Sequence, residues 1–167
     1  MLNKLKEGGT DLEINNTELI EVIKELIEFA DKKFENHEKT TKGATDLKYK
    51  IYANAKNEYK YKKFLLKGYM GQGRLKVCDV GITFLYGDNK VNNGSYICFV
   101  YNYREKEIYL ELGSSYENIP LLPEEERLDF NKEHRRTFNR INLNYSEFII
   151  TLDKILKDFL VFYKEKM

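Results

Sequence analysis

SYICFVYN at residues 95–102 and KEIYLEL at residues 106–112 are the two runs that decide the fold class. Both are rich in β-branched and aromatic residues, and every other residue from 108 to 112 is apolar between charged or aromatic neighbours. This alternation is typical of a strand with one buried face. The short polar step at residues 103–105 predicts a hairpin turn. The two runs therefore predict a pair of neighbouring antiparallel strands.

Two further strands are predicted upstream, over residues 61–69 and 77–84. Glycine- and asparagine-rich steps separate the four runs, which is the composition that turns require. The step Gly71-Gln72-Gly73 joins the first strand to the second. It is neither a P-loop nor a dinucleotide fingerprint, because the residues that define those motifs do not follow it. Its glycines indicate an exposed, permissive turn.

Helices are predicted on both sides of these strands. Over residues 17–36, apolar side chains recur at three- and four-residue steps, which is one face of an α-helix. Over residues 145–164 a longer apolar stripe follows Asn144, with Glu147 three residues later as in a capping box. The first stripe consists of Leu19, Ile23, Leu26, Ala30 and Phe34.

The order helix, sheet, helices predicts one α+β domain with a mostly antiparallel central sheet flanked by N-terminal and C-terminal helices. A shorter helix is expected from Pro123 to about Lys132, and residues 37–60 allow another short helix. We expect residues 1–16 to be a flexible leader and residues 17–167 to form the domain.

Composition excludes several classes of protein. The chain has 167 residues, and its 28 Lys and Arg balance 27 Asp and Glu to a net charge of +1. It contains no apolar run of membrane-spanning length and no signal-peptide core, so we expect a cytoplasmic protein. Cys78 and Cys98 are expected to be reduced and buried. Two histidines and two cysteines without ligand spacing predict no metal site, and we expect no cofactor and no catalytic residue.

The charge is unevenly distributed along the chain. Residues 39–76 hold eleven basic residues and two acidic ones, a local net charge of +9, so the rest of the chain carries −8. Eight acids lie in residues 105–129. Tyrosines are interleaved with the lysines of the basic window, which is the pattern of a surface that neutralises phosphates and stacks on bases. The alternative is a solvated lysine face whose tyrosines belong to the core.

Four segments in this order resemble the McrB-like N-terminal domain family. They are FLLKGYMGQGR (64–74), NGSYICFVY (93–101), EIYLELG (107–113) and NYSEFIITLDKIL (144–156). The resemblance extends over roughly residues 17–165, and it rests on the order and spacing of the segments rather than on any single motif. It implies a DNA-binding specificity module of a modification-dependent restriction system.

The resemblance also implies a mechanism and a set of residues. Family members bind methylated cytosine in double-stranded DNA, flip it into a pocket on the sheet, and fill the vacated stack from the glycine loop. The loop position falls on Gln72, and the pocket positions fall on Tyr96 and Val100. Cys78-Asp79-Val80 stands where the family has Pro-Trp, so a stacking ring would come from Tyr69, Phe84 or Tyr101. The expected DNA contacts are Lys62, Lys63, Lys67, Tyr69, Gln72, Arg74 and Lys76.

Other functions remain open at this point. A protein-interaction or nucleic-acid-mimicking accessory factor in phage defence or counter-defence would use the acidic residues 105–129. A nuclease would use Asp79 and Asp88-Asn89-Lys90, although Asp and Asn are expected in a turn. His134-Arg135-Arg136 could contact phosphates or be a solvated helix end. We expect any GTPase motor or nuclease activity on other domains or subunits.

Overall fold

The computed structural model describes residues 12–35, 59–69, 79–87, 94–114 and 123–166. These residues form one seven-stranded sheet and three helices. The strands are β1 (Leu12–Ile14), β2 (Tyr59–Tyr61), β3 (Phe64–Tyr69), β4 (Asp79–Leu85), β5 (Ser95–Asn102), β6 (Glu107–Ser114) and β7 (Arg136–Asn139). The helices are α1 (Asn16–Glu35), α2 (Glu124–His134) and α3 (Tyr145–Lys166).

The strands lie side by side in chain order from β1 to β7. Only the β1–β2 pair is parallel; the other five pairs are antiparallel. The predicted α+β architecture is therefore confirmed, with a helix flanking the sheet at each end of the fold. None of the helices in the described ranges is long and apolar enough to cross a membrane.

The two faces of the sheet have different environments. On one side, which we call the helix face, α1 and α3 pack over alternate residues such as Phe99, which is fully buried. The Phe99 and Phe148 ring centroids lie 5.7 Å apart, and those of Phe64 and Phe159 lie 6.3 Å apart. The opposite side, which we call the second face, carries the intervening residues of each strand.

Local signals explain where the flanking helices begin. The Asn15 side-chain oxygen accepts a 2.9 Å hydrogen bond from the Glu18 backbone N–H, so Asn15 caps α1, which begins at Asn16, one residue before the predicted start. The Asn144 oxygen accepts the Glu147 N–H at 3.1 Å, which confirms the predicted start of α3. Both helices bury the apolar stripes that the sequence indicated.

Two tyrosine–aspartate clusters fasten the helices to the sheet. The Tyr61 hydroxyl donates to Asp153 of α3 at 2.6 Å and also contacts the Asn16 side-chain oxygen. The Tyr101 hydroxyl donates to Asp31 of α1. Burial is the largest cause that raises the pKa of both tyrosines above the usual value, so both keep their proton and act as donors.

The carboxylate of the second cluster has additional cationic partners. Lys106 Nζ lies 3.6 Å from Asp31, and Arg140 NH2 lies 3.4 Å from it. Lys106 belongs to the hairpin turn between β5 and β6, one residue beyond the turn predicted at residues 103–105, and its N–H donates to the Tyr103 carbonyl at 3.2 Å. The turn, the end of β5 and α1 are therefore held together at one end of the sheet.

Three elements differ from the sequence-based expectations. Residues 12–14, expected in a flexible leader, form β1 and pair with β2. The strand expected over residues 61–69 is interrupted by a turn at Lys62 and Lys63, with Lys62 at φ 56°, so β2 and β3 form a hairpin. Residues 136–139, for which the sequence predicted no helix or strand, form the edge strand β7. The short helix expected within residues 37–60 falls on residues that the structure does not describe, except for residues 59 and 60, which belong to β2.

Helix α2 contacts the sheet at the edge where β7 pairs with β6. Asn131 donates to the Leu112 carbonyl at 2.9 Å and accepts the Leu112 N–H at 2.7 Å. A single side-chain amide thus pairs with the backbone of β6 beyond the end of β7. Because α2 ends at His134, the chain then enters β7 directly through Arg135.

Candidate nucleic-acid interface

The pairing registers align the residues of the second face into rows that cross the sheet. One row connects a glycine on β4 to an aliphatic and an aromatic residue on the next two strands. It consists of Tyr69, Gly81, Val100, Tyr109 and Thr137. The neighbouring row consists of Lys67, Thr83, Cys98 and Glu111.

Tyr96 lies on this face beside a glycine of β6. It pairs with Gly113 and is 8% exposed. A Cβ placed on Gly113 would lie 3.4 Å from Tyr96 Cε1 and 2.9 Å from Cys98 Sγ. The tyrosine ring therefore lies across the bare backbone of Gly113, and a side chain at that position would displace the ring and the thiol.

Val100 lies between Gly81 and Tyr109 in its row. Gly81 allows a close approach between strands, since a Cβ there would lie 2.3 Å from the Phe99 carbonyl oxygen. Burial raises the pKa of Tyr109, and the carboxylates of Glu111 and Asp79 add to this effect. The Tyr109 hydroxyl therefore keeps its proton.

Arg135 extends this surface beyond β6. Its guanidinium carbon lies 4.7 Å from the centroid of the Tyr109 ring, and its Nε lies 3.6 Å from a Glu111 oxygen. Its NH1 group donates to the Thr137 hydroxyl at 3.2 Å. Three neighbours therefore orient the arginine, which remains 43% exposed at its side chain. A guanidinium stacked on a tyrosine is a suitable contact for a phosphate or a planar base.

The lysines predicted to contact DNA occupy different parts of the fold. Lys67 lies on the second face beside Thr83, whose hydroxyl donates to the Lys67 carbonyl at 3.3 Å. Lys62 and Lys63 lie in the β2–β3 turn, at the opposite end of β3 from the glycine loop. Lys62 Nζ pairs with Asp153 at 3.2 Å and so belongs to the first tyrosine–aspartate cluster.

The remaining predicted DNA contacts belong to the glycine loop and the residues beside it. Gln72, Arg74 and Lys76 lie outside the described residues. Tyr69 occupies the last position of β3, where it pairs with Gly81 in the row that contains Val100.

The structure does not bring the four predicted pocket residues together. Tyr96 and Val100 share the second face, whereas Phe84 and Tyr101 lie on the helix face and are fully buried in the core. The reason is the two-residue period of a strand, because Tyr101 is an odd number of residues from Tyr96. Phe84 pairs with Ile97, which is also a core residue. Phe84 and Tyr101 therefore cannot line a pocket with Tyr96.

The groups considered for other chemistry are separated or buried. Cys98 is a free cysteine, and burial raises the pKa of its thiol to about 12. Asp79 begins β4, while Cys78 and residues 88–90 lie outside the described part of the chain. Within the described ranges, no group of three or more His, Cys, Asp or Glu side chains could hold a metal ion.

A cleft with an acidic lining lies between α2 and α3. The cleft has a volume of about 370 Å³. Asp158, which lies in it, accepts a 2.8 Å contact from Lys154 and lies 3.2 Å from His134 Nδ1. Its lining comprises Glu126, Asp129, Phe130, Glu133, His134, Asp158, Val161, Phe162, Glu165 and Lys166.

Sequence reasoning did not single out Tyr109 or Gly113, and it named Arg135 only within His134-Arg135-Arg136, which it left as either a phosphate contact or a solvated helix end. Strand alternation already placed Tyr109 on the face opposite Ile108 and Leu110, and this signal could have identified it. The place of Arg135 depends on the pairing of β7 with β6, which has no local sequence signal. Compared with known proteins, the sequence matches no protein-family model and no curated protein.

Proposed function

We propose that this chain is the DNA-binding specificity module of a modification-dependent restriction system, and that it recognises a modified, methylated cytosine in double-stranded DNA by base flipping. The observation that carries the proposal is the second face. It combines Tyr96, Val100 and Tyr109 with the cations Lys67 and Arg135 on one side of the sheet.

The physical requirements of base flipping agree with such a surface. Flipping costs a few kcal/mol of lost pairing and stacking, which contacts in a pocket and with phosphates must offset. Tyr96 and Val100 supply aromatic and aliphatic surface on one face of the sheet. Gln72 would fill the vacated position in the duplex. A methyl group on the base adds only about 1 kcal/mol of burial, so the preference for modified DNA is expected to be modest.

A binding panel tests the proposal with the full chain. Duplexes of one sequence would carry unmodified, methylated, hydroxymethylated or glucosylated cytosine, or methyladenine, and affinity would be measured at several salt concentrations. We expect salt-dependent binding and a preference for one modified cytosine. Binding of none of these duplexes, or affinity without any salt dependence, would contradict a phosphate-led mode.

Two variants test the pocket within the same panel. Tyr96→Ala is expected to remove the preference for modified DNA while binding to unmodified DNA persists, whereas Tyr96→Phe keeps the ring and should retain the preference. Gln72→Ala is expected to reduce the fluorescence of 2-aminopurine placed at the target, since flipping would be weaker. An unchanged preference in Tyr96→Ala would exclude its role in the pocket.

A second candidate function rests on the cleft between α2 and α3. Five carboxylates line it, namely Glu126, Asp129, Glu133, Asp158 and Glu165. Such a surface suits a protein-interaction or nucleic-acid-mimicking accessory factor, which would bind a basic partner protein. This alternative is favoured if the chain binds no DNA and if reversal of Glu126 and Glu133 to Lys abolishes capture of a basic, DNA-binding protein of the same system.

A further inference from the structure

Arg135 is oriented by its neighbours in a way that suits the binding of an anion. Its guanidinium rests on the Tyr109 ring, its Nε faces Glu111 at 3.6 Å, and its NH1 donates to Thr137. No other residue of the described part of the chain accepts from this guanidinium. The stack and the two polar contacts fix its orientation in advance, so less side-chain entropy is lost when it binds an anion.

The position of Arg135 on the sheet determines which part of a DNA duplex it can reach. Because Arg136 pairs with Leu110, Arg135 falls opposite Glu111 and continues the row that begins with Lys67. Lys67 and Arg135 are separated by four strand spacings, or about 19 Å. This exceeds the ~12 Å width of a major groove, so cations at the two ends of the row can reach phosphates on both of its rims.

We infer that Arg135 binds a backbone phosphate of DNA lying across the second face, at the opposite margin from Lys67. The inference rests on the proposed function and extends it, since it assigns the β7 margin to the interface. One terminal N–H pair of the guanidinium donates to the phosphate oxygens. Glu111 acts as a positioning residue, because its carboxylate holds the guanidinium without touching the DNA.

The neighbouring arginine provides a matched control. Arg136 has the same charge and is one residue away, but its partner Leu110 is a buried helix-face residue. Its NH1 donates to the carbonyls of Glu133 and Arg135. Arg135→Ala and Arg136→Ala therefore change the net charge equally, and only the first removes a cation from the second face.

The experiment measures the affinity of the full chain for a 20-base-pair duplex with one methylated cytosine, and for its unmodified copy, between 50 and 200 mM salt. Arg135→Ala should weaken binding of both duplexes about tenfold at 50 mM, the scale of one charge-assisted contact. The slope of log affinity against log salt should fall by about 0.9, so the loss shrinks to about threefold at 200 mM. Arg136→Ala should keep the wild-type slope, and Arg135→Lys should restore most of it.

The outcomes separate the inference from the proposed function. If the wild-type chain binds and the two alanine variants lose affinity and slope equally, the phosphate contact of Arg135 is overturned while DNA binding stands. If the wild-type chain binds neither duplex, both are overturned. Circular dichroism of each variant checks that the fold is retained, and the slope, unlike affinity, does not change with the fraction of folded protein.

Discussion

Tyr101→Phe distinguishes a residue of the core from a residue of a binding pocket. The substitution removes only the hydroxyl group that donates to Asp31, and the ring stays fully buried. A hydrogen bond to a charged group contributes about 1.5–3 kcal/mol. Lys106 and Arg140 remain near the carboxylate, which is 28% exposed, so the loss should lie at the lower end, about 1.5 kcal/mol.

Urea unfolding with a double-mutant cycle is the assay. Tyr101→Phe, Asp31→Asn and the double variant would be compared with the wild-type chain, and thermal unfolding should show a fall in Tm of about 3–6 °C for Tyr101→Phe. We expect a coupling free energy of about 1 kcal/mol between the two positions. Tyr109→Phe is the control, because no residue in the described ranges accepts a hydrogen bond from its hydroxyl.

Two results would refute this reasoning. Additive effects of Tyr101→Phe and Asp31→Asn would show that the hydroxyl and the carboxylate are not coupled. Unchanged stability together with an altered preference for modified DNA would restore Tyr101 to the pocket. The same cycle can be built on Tyr61 and Asp153, where the 2.6 Å hydrogen bond fastens α3.

Three further predictions concern titration, reactivity and packing. Tyr61 and Tyr101 have raised pKa values in the folded chain, so above pH ~10 the unfolded chain loses these protons first and stability falls as the pH rises further. Replacing both by Phe should make the urea midpoint depend less on pH between pH 9.5 and 11. A pH dependence equal to that of the wild-type chain would contradict this prediction. In a Cys78→Ser background, Cys98 should react slowly with a thiol reagent at pH 8 and rapidly in urea, because its pKa is raised to about 12; equal rates would refute the burial. Gly81→Ala should lower the free energy of unfolding by about 2 kcal/mol, since its Cβ would meet the backbone of β5, and an unchanged urea midpoint would argue against that approach.

The parts of the fold that the sequence predicted have strong local periodicity. Helix α1 and helix α3 bury long apolar stripes, and β5 was predicted with the bounds that the structure has. Strand β1 has three residues and depends on a parallel partner far along the chain, so no local pattern marks it. Strand β7 reads RTFN, with a single apolar residue, and its identity depends on the edge of β6.

The candidate site was predictable to the same extent. Alternation along β5 is enough to place Tyr96 and Val100 on one face, and it also excludes Tyr101 from that face. The position of Phe84 needed the register of β4 against β5, which short strands do not encode on their own. Arg135 reaches Tyr109 only because α2 ends at His134 and the chain turns directly into β7.

Substitutions on the two faces of the sheet differ in how much they cost the stability of the fold. On the helix face, large apolar side chains such as Phe99 and Phe148 are completely buried, and truncating one of them costs about 3–5 kcal/mol. On the second face, the ion pair of Arg135 with Glu111 is partly exposed and contributes at most about 1 kcal/mol. Cations at the margins of the second face can therefore be exchanged without loss of the fold. A ligand interface could change its contacts there while the core stays fixed.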